Sequence, residues 1–161
     1  MSTLSKKVLV CLCLLPLLLP GRLLVPAQLD HISATRLVAV DPTQQRCLAR
    51  NIYHESRGEP FWGQVAVAQV TLNRVRSSEY QNTVCGVVYQ RAQFSWTLDH
   101  TKRVRDTKAW HEANLIAHGV LSGRIKLPNF NALYYHTHKV KPRWSKTKQV
   151  VATIGNHIFY N

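Results

Sequence analysis

The hydrophobic pattern of this chain predicts an α+β fold, helix-rich with a small β region, and three observations carry that prediction. Four stretches between Asp41 and Gly123 repeat apolar residues at helical spacing behind start signals. Beyond Pro128 the composition turns to β-branched and aromatic residues around a Gly155-Asn156 turn pair. At 161 residues and 45% hydrophobic content, the chain has the material for one core and one domain.

The N-terminus opens with Lys6 and Lys7, continues as the apolar run VLVCLCLLPLLL from Val8 to Leu19, and reaches Val25-Pro26-Ala27. That is the layout of a secretory signal over residues 1–27, so the expected location is periplasmic or secreted. The run is short for a membrane span and carries Pro16, so membrane contact is expected only if the signal is retained as an anchor. Residues 28–44 start as QLDHISATRLVAV without periodicity and read as a linker or N-terminal arm, leaving 45–161 as the folded domain.

Asp41-Pro42-Thr43-Gln44 is a helix start, with Asp41 as N-cap, Pro42 in the first turn and Gln44 placed for a capping box. Leu48 and Ile52 share a face, and the helix is expected to end near Arg57-Gly58. Glu59-Pro60 opens a second helix in which Val65, Ala68, Leu72 and Val75 recur; the local VAVAQV alternation also suits a strand, but the length of the pattern favours a helix. Glu59 is expected to cap it, since a negative charge suits a helix N-terminus. Asn82-Thr83 begins a short third segment, and Asp106 or Thr107 a fourth that stops at Gly123. ALYYHTHKV and QVVATIGNHIFY read as strands.

Cys11 and Cys13 leave with the signal, so the domain keeps Cys47 and Cys85. In an oxidising compartment they favour one disulfide, the alternative being two buried thiols. Charge is strongly basic, 21 Lys+Arg against 8 Asp+Glu, and removal of the signal takes only Lys6, Lys7 and Arg22 from the first figure. Such a surface suits a polyanion, and export makes anionic lipid or an acidic cell-wall polymer a better partner than nucleic acid.

Glu55 is the leading candidate for chemistry. It sits at a helix end near Tyr53, Phe61 and Trp62, where partial burial would raise its pKa and keep it protonated near neutral pH, as a glycosidase acid requires. The plain alternative is a solvated glutamate paired with Arg57 or Arg50. Glu59, four residues on, would lie roughly 5–6 Å away on one continuous helix, but Gly58 and Pro60 break that helix. His136 and His138 alternate on a strand like a metal-ligand pair, with His157, Asp99 or His100 as a third ligand for zinc. Phe94, Trp96, Tyr134, Tyr135 and Trp144, set among Gln93, Ser95 and the histidines, suit a polysaccharide cleft.

The blocks CLARNIYHESRGEPFWGQVAVAQVTLNRV, NTVCGVVYQRAQFSW, YYHTHKVKPRW and IGNHIFY, in that order, resemble the SleB/CwlJ family of cell-wall hydrolases from Cys47 to Tyr160. The resemblance implies a lysozyme-like catalytic domain that cuts peptidoglycan glycan strands as a lytic transglycosylase, with Glu55 as general acid and then base. It calls for no cofactor, and a protein activator is left open. Gln93, Phe94, Ser95, Tyr135 and His136 are the candidates for holding sugar. The family's usual Gly-Ala pair before the tyrosine-histidine segment is replaced here by Asn131-Ala132-Leu133. Rival readings are a zinc amidase acting through His136 and His138, and a non-catalytic wall-binding protein.

Overall fold

The computed structural model describes residues 39–99 and 101–161. The expected signal, most of the arm, and His100 lie outside them. Among the described residues four α-helices precede a small antiparallel sheet: α1 Pro42–Ser56, α2 Phe61–Arg76, α3 Val84–Tyr89, α4 Thr107–Leu121, then β1 Tyr134–Thr137, β2 Val150–Ile154 and β3 His157–Tyr160. The α+β expectation holds. Pro42 to Gln44 already belong to α1, so the helix begins inside the segment assigned to the arm.

α1 starts where its sequence says, with the Asp41 carboxylate accepting from the Thr43 N–H at 2.7 Å. Gln44 does not close a capping box. Its Oε1 instead accepts from the Cys85 N–H at 3.1 Å, satisfying a free donor at the start of α3. Cys47 and Cys85 form a disulfide that joins the same two helices, Cα to Cα 5.2 Å.

The VAVAQV run is helical because α2 is buried on both sides. Val65 and Ala68 pack against the other helices, while Ala66, Val67 and Val70 pack against Phe130, Ala132 and Phe159 in a second cluster beneath the sheet. From Val65 to Ala68 no side of the helix faces water, so no polar position interrupts the run there. Its polar residues serve instead as clamps. Gln69 Nε2 donates to the Leu127 carbonyl at 3.0 Å, Asn73 Nδ2 to the Phe130 and Ala132 carbonyls at 3.0 Å each, and Arg74 Nε to the Leu133 carbonyl at 2.8 Å. The departure at Asn131-Ala132-Leu133 therefore lies on a segment gripped by α2 immediately before β1.

The strand order is β1-β3-β2, and β1 pairs with β3 so that Tyr135 faces Phe159 and His136 faces Ile158. Gly155-Asn156 turns β2 into β3, with Gly155 at φ 59°. A side chain there would fall on Glu59 Oε2 and come within 2.9 Å of Pro60 Cδ. Gly155→Ala is accordingly expected to cost about 1–2 kcal/mol from the left-handed backbone alone, read as a lower denaturation midpoint. A midpoint equal to the parent's would show that the turn relaxes freely.

Candidate active site

Glu55 occupies the last turn of α1, which brings its carboxyl to the wall of a cleft of about 430 Å³ lined also by Tyr53, His54, Arg57, Ser95, Trp96, Asp99 and Lys102. The Tyr135 hydroxyl, from β1, donates to Glu55 Oε2 at 3.2 Å. Burial pushes the Glu55 carboxyl above its ordinary value of 4.5, while the Tyr135 hydrogen bond and the nearby Arg74 charge moderate the rise. Burial and the Glu55 charge in turn hold the Tyr135 phenol well above 10.0, so it stays a donor. Of the aromatics expected to shield Glu55, Tyr53 lines the cleft with it, whereas the other two stand at the surface. Phe61 and Trp62 stand 43% and 49% exposed, and Tyr135 is the ring whose hydroxyl touches the carboxylate.

Arg57 does not pair with Glu55. Its Nη1 donates to the Tyr53 hydroxyl at 2.7 Å, and the backbone N–H groups of Arg105 and Asp106 reach the same oxygen at 3.1 Å each. Three donors on one phenol oxygen tie the end of α1 to the loop entering α4, and the two backbone hydrogen bonds chiefly draw the Tyr53 pKa below 10.0.

Glu59 does not cap α2, whose N-cap is Pro60 without a side-chain hydrogen bond. Its carboxylate crosses to the sheet, where Oε2 accepts from the Asn156 N–H at 2.9 Å and Oε1 from Asn156 Nδ2 at 3.0 Å, with His157 Nδ1 3.8 Å away. Burial works to raise its pKa, but both Asn156 donors and His157 hold it below 4.5. Glu59 is thus a brace between the α1–α2 turn and the β2–β3 turn, with both oxygens occupied.

Among the sugar-binding candidates, Ser95 lines the cleft with Glu55 and Tyr135 contacts Glu55 directly. Gln93 is half-buried on the preceding loop. Phe94 is buried in the core beneath the Arg74 guanidinium, and His136 is buried against Trp144 and Tyr160. The His136 ring is fully engaged, Nδ1 at 2.9 Å from the Thr137 carbonyl and Nε2 at 2.8 Å from the Tyr160 hydroxyl. A carbonyl only accepts, so Nδ1 carries the proton and Nε2 accepts from Tyr160. Neither nitrogen is left for a metal. Among the described residues no three His, Cys, Asp or Glu side chains gather as a metal site.

Two residues escaped the sequence reading. His54 stacks on Trp96 with centroids 4.5 Å apart in the cleft wall, and burial, then the Arg50, Arg57 and Lys102 charges, lower its pKa below 6.5. Arg74 is buried between the rings of Tyr80 and Phe94, and its charge acts on both Glu55 and Tyr135. The signal was present, since Arg74 recurs at helical spacing with Val67 and Val70, and a charged residue on such an apolar face must serve something internal.

A family model described as cell wall hydrolase matches residues 58–160. The chain belongs to the cell wall hydrolase family. The chain is 39% identical over 113 residues to the spore cortex-lytic enzyme of Bacillus cereus, covering 70% of this chain and 42% of that one. It is 36% identical over 131 residues to the Bacillus subtilis spore cortex-lytic enzyme, covering 81% and 41%. The chain therefore spans about two fifths of the length of these curated relatives. The solved catalytic domain of the Bacillus anthracis germination-specific lytic transglycosylase SleB superposes with a TM-score of 0.63 at 35% identity, covering 76% of this chain and 98% of that one. The Bacillus cereus SleB catalytic domain gives 0.62 at 35% identity over 76% and 93%. The fold is the helix-rich, lysozyme-like α+β domain expected of the SleB/CwlJ family. Glu55 lies three residues ahead of the segment that the family model matches.

Proposed function

We propose that this cell wall hydrolase cleaves the glycan strands of peptidoglycan outside the cytoplasm, as a lytic transglycosylase acting between N-acetylmuramic acid and N-acetylglucosamine. The observation that carries the reading is Glu55, a carboxyl kept protonation-prone by burial at the wall of an open cleft and held by one phenol hydroxyl. Family membership and relatives named as cortex-lytic and as a lytic transglycosylase support it.

With Oε2 bonded to Tyr135, Oε1 is the oxygen that meets the substrate. Glu55 gives its proton to the bridging glycosidic oxygen, the muramic acid C1–O bond breaks, and the leaving sugar departs as an alcohol. The oxocarbenium-like C1 is then attacked by the C6 hydroxyl of its own ring, whose proton goes to the Glu55 carboxylate. The product is a 1,6-anhydro end, and the acid is restored without water. During the interval in which Glu55 is charged, the Tyr135 hydroxyl and the Arg74 cation stabilise it. Glu59 is not needed as a nucleophile, in keeping with its two oxygens being held by Asn156.

Tyr135→Phe tests this division of labour. Losing the donor removes a hydrogen bond of the kind that favours the ionised carboxyl, so Glu55 is expected to titrate higher and the alkaline limb of the pH–rate profile to move up. The rate is expected to fall about 10- to 150-fold, in line with about 1.5–3 kcal/mol for a hydrogen bond to a charged group. An unshifted limb with a uniform loss of rate would reduce Tyr135 to a packing residue.

Mass spectrometry of peptidoglycan digested by the protein tests the reading as a whole. Anhydro-muropeptides are expected. Reducing-end sugars would make it a simple hydrolase, and freed stem peptides an amidase.

A further inference from the structure

The cleft at Glu55 continues into two further hollows. The next, of about 310 Å³, shares Tyr53, His54, Arg57 and Lys102 with it and adds Arg103 and Arg105. A third, of about 350 Å³, shares Arg103 and adds Arg46, Arg50 and Trp110. Six cations thus line three hollows that share walls in turn, the first of which holds the proposed catalytic carboxyl. The acids on the same loop have local work: Asp99 accepts from the Thr101 N–H and hydroxyl and lies 3.9 Å from Lys102, and Asp106 caps α4 through the Ala109 N–H.

Part of this lining is already ordered. Arg57 is fixed over the Tyr53 ring at 4.9 Å, and Arg50 lies 6.0 Å from the Trp96 ring centre with a buried Nε–H that meets no protein acceptor. Wherever muramic acid bears a peptide, its lactyl carboxyl is taken up as an amide, so the sugars themselves carry no charge for six cations to answer. The charge on a peptidoglycan strand sits on its substituents, the short peptides attached to muramic acid, which end in free carboxylates close to the bond to be cut. Planar guanidinium groups match carboxylates through paired N–H donors. A phosphodiester polymer fits less well, because it bears a charge at every repeat and would set one beside Glu55, where burial already disfavours negative charge.

We infer that the groove running from Arg57 through Lys102, Arg103 and Arg105 to Arg46 and Arg50 binds the peptide carboxylates of the glycan strand, so that the chain selects peptide-bearing over bare glycan. The inference rests on the proposed function for the identity of the strand, but its test needs no turnover. The Glu55→Gln protein is titrated with soluble glycan strands of one length in three forms: peptide-bearing, peptide-bearing with carboxylates amidated, and peptide-free with the exposed lactyl carboxyls of muramic acid amidated.

Peptide-bearing strands are expected to bind about tenfold more tightly than the other two, with the preference weakening as salt rises. Adding Arg103→Ser and Arg105→Ser is expected to abolish the preference. Adding Arg143→Ser and Lys146→Ser, an equal loss of charge on a turn that does not line the groove, is expected to keep it. Unchanged thermal midpoints show that the variants are folded. Equal affinity for native and amidated strands, a preference that survives in the groove variant, or one lost equally in the control would overturn the inference. Inorganic polyphosphate binding more tightly than the strands, by an affinity the groove variant loses, would reassign the groove to phosphate polymers. Failure of the Glu55-intact protein to cut glycan would instead count against the proposed activity and would leave these affinities as they are.

Discussion

Glu55→Gln is expected to lower glycan-strand cleavage about 10³-fold, a rise in barrier of about 4 kcal/mol. The size follows from one residue serving twice, giving a proton to the leaving oxygen and taking one from the C6 hydroxyl, neither of which an amide performs. Shape is kept, because the Tyr135 hydroxyl can still donate to the amide oxygen, so strand binding is expected to persist. The same change is expected to stabilise the fold by about 0.5–2 kcal/mol at neutral pH, in the manner of active-site residues held at the expense of stability.

The sign follows from linkage. Burial raises the folded pKa of Glu55 above 4.5, so the folded state favours the protonated acid. Its contribution is fully present below 4.5 and is lost as pH rises through the folded value. Wild type and variant are therefore expected to have converging melting temperatures in acid and diverging ones toward neutrality. More than a tenth of wild-type cleavage in the variant would remove Glu55 from the chemistry, while equal melting temperatures at neutral pH would show that its carboxyl is not held at a disadvantage.

Cys47→Ser with Cys85→Ser is expected to have the largest effect on stability. The bond spans 38 residues and ties α1, which carries Glu55, to α3. Opening a loop of that length frees the unfolded chain by about 3–4 kcal/mol. For a domain of this size the melting temperature should fall by roughly 10–15 °C. Because the bridge lies near the first turns of α1 and Glu55 in the last, the folded double variant is expected to retain activity at low temperature. Loss of activity without loss of the folded state would show that the bridge shapes the cleft.

What the sequence revealed and what it did not differ in reach. The start of α1 at Asp41-Pro42, the start of α4 at Asp106 and the Gly155-Asn156 turn are local events, each decided within a few residues by capping or a left-handed backbone. Two short helical turns, Ser95–Leu98 and Arg143–Lys146, left no periodicity to read. The larger misjudgements concern side chains whose partners are remote. Gln44 looked like half of a capping box and Glu59 like a helix cap, yet Gln44 serves a residue 41 positions away and Glu59 one 97 away. Local rules name what a side chain can do and leave open a better tertiary offer.

The cleft shows the same limit. Glu55 was legible as a carboxyl at a helix end, whereas its hydrogen bond to Tyr135 bridges 80 residues. Phe94 and His136 face inward: Phe94 sits on a loop at the start of the Ser95–Leu98 turn, which has no periodicity to read, and for His136 a strand's two faces cannot be told apart until the sheet is docked.

The three donors that converge on Tyr53 make that residue an optical reporter of the cleft. A phenolate absorbs near-ultraviolet light that a phenol does not, and Tyr53 ionises below the ordinary 10.0 while Tyr80 is pushed up to about 12 and Tyr135 higher than its own ordinary value. A spectrophotometric alkaline titration thus carries a Tyr53 signal on its early edge, one that Tyr53→Phe should erase. Because two of the donors are backbone groups of the loop entering α4, that signal should move whenever a bound strand shifts the loop, giving a readout of occupancy with no label attached.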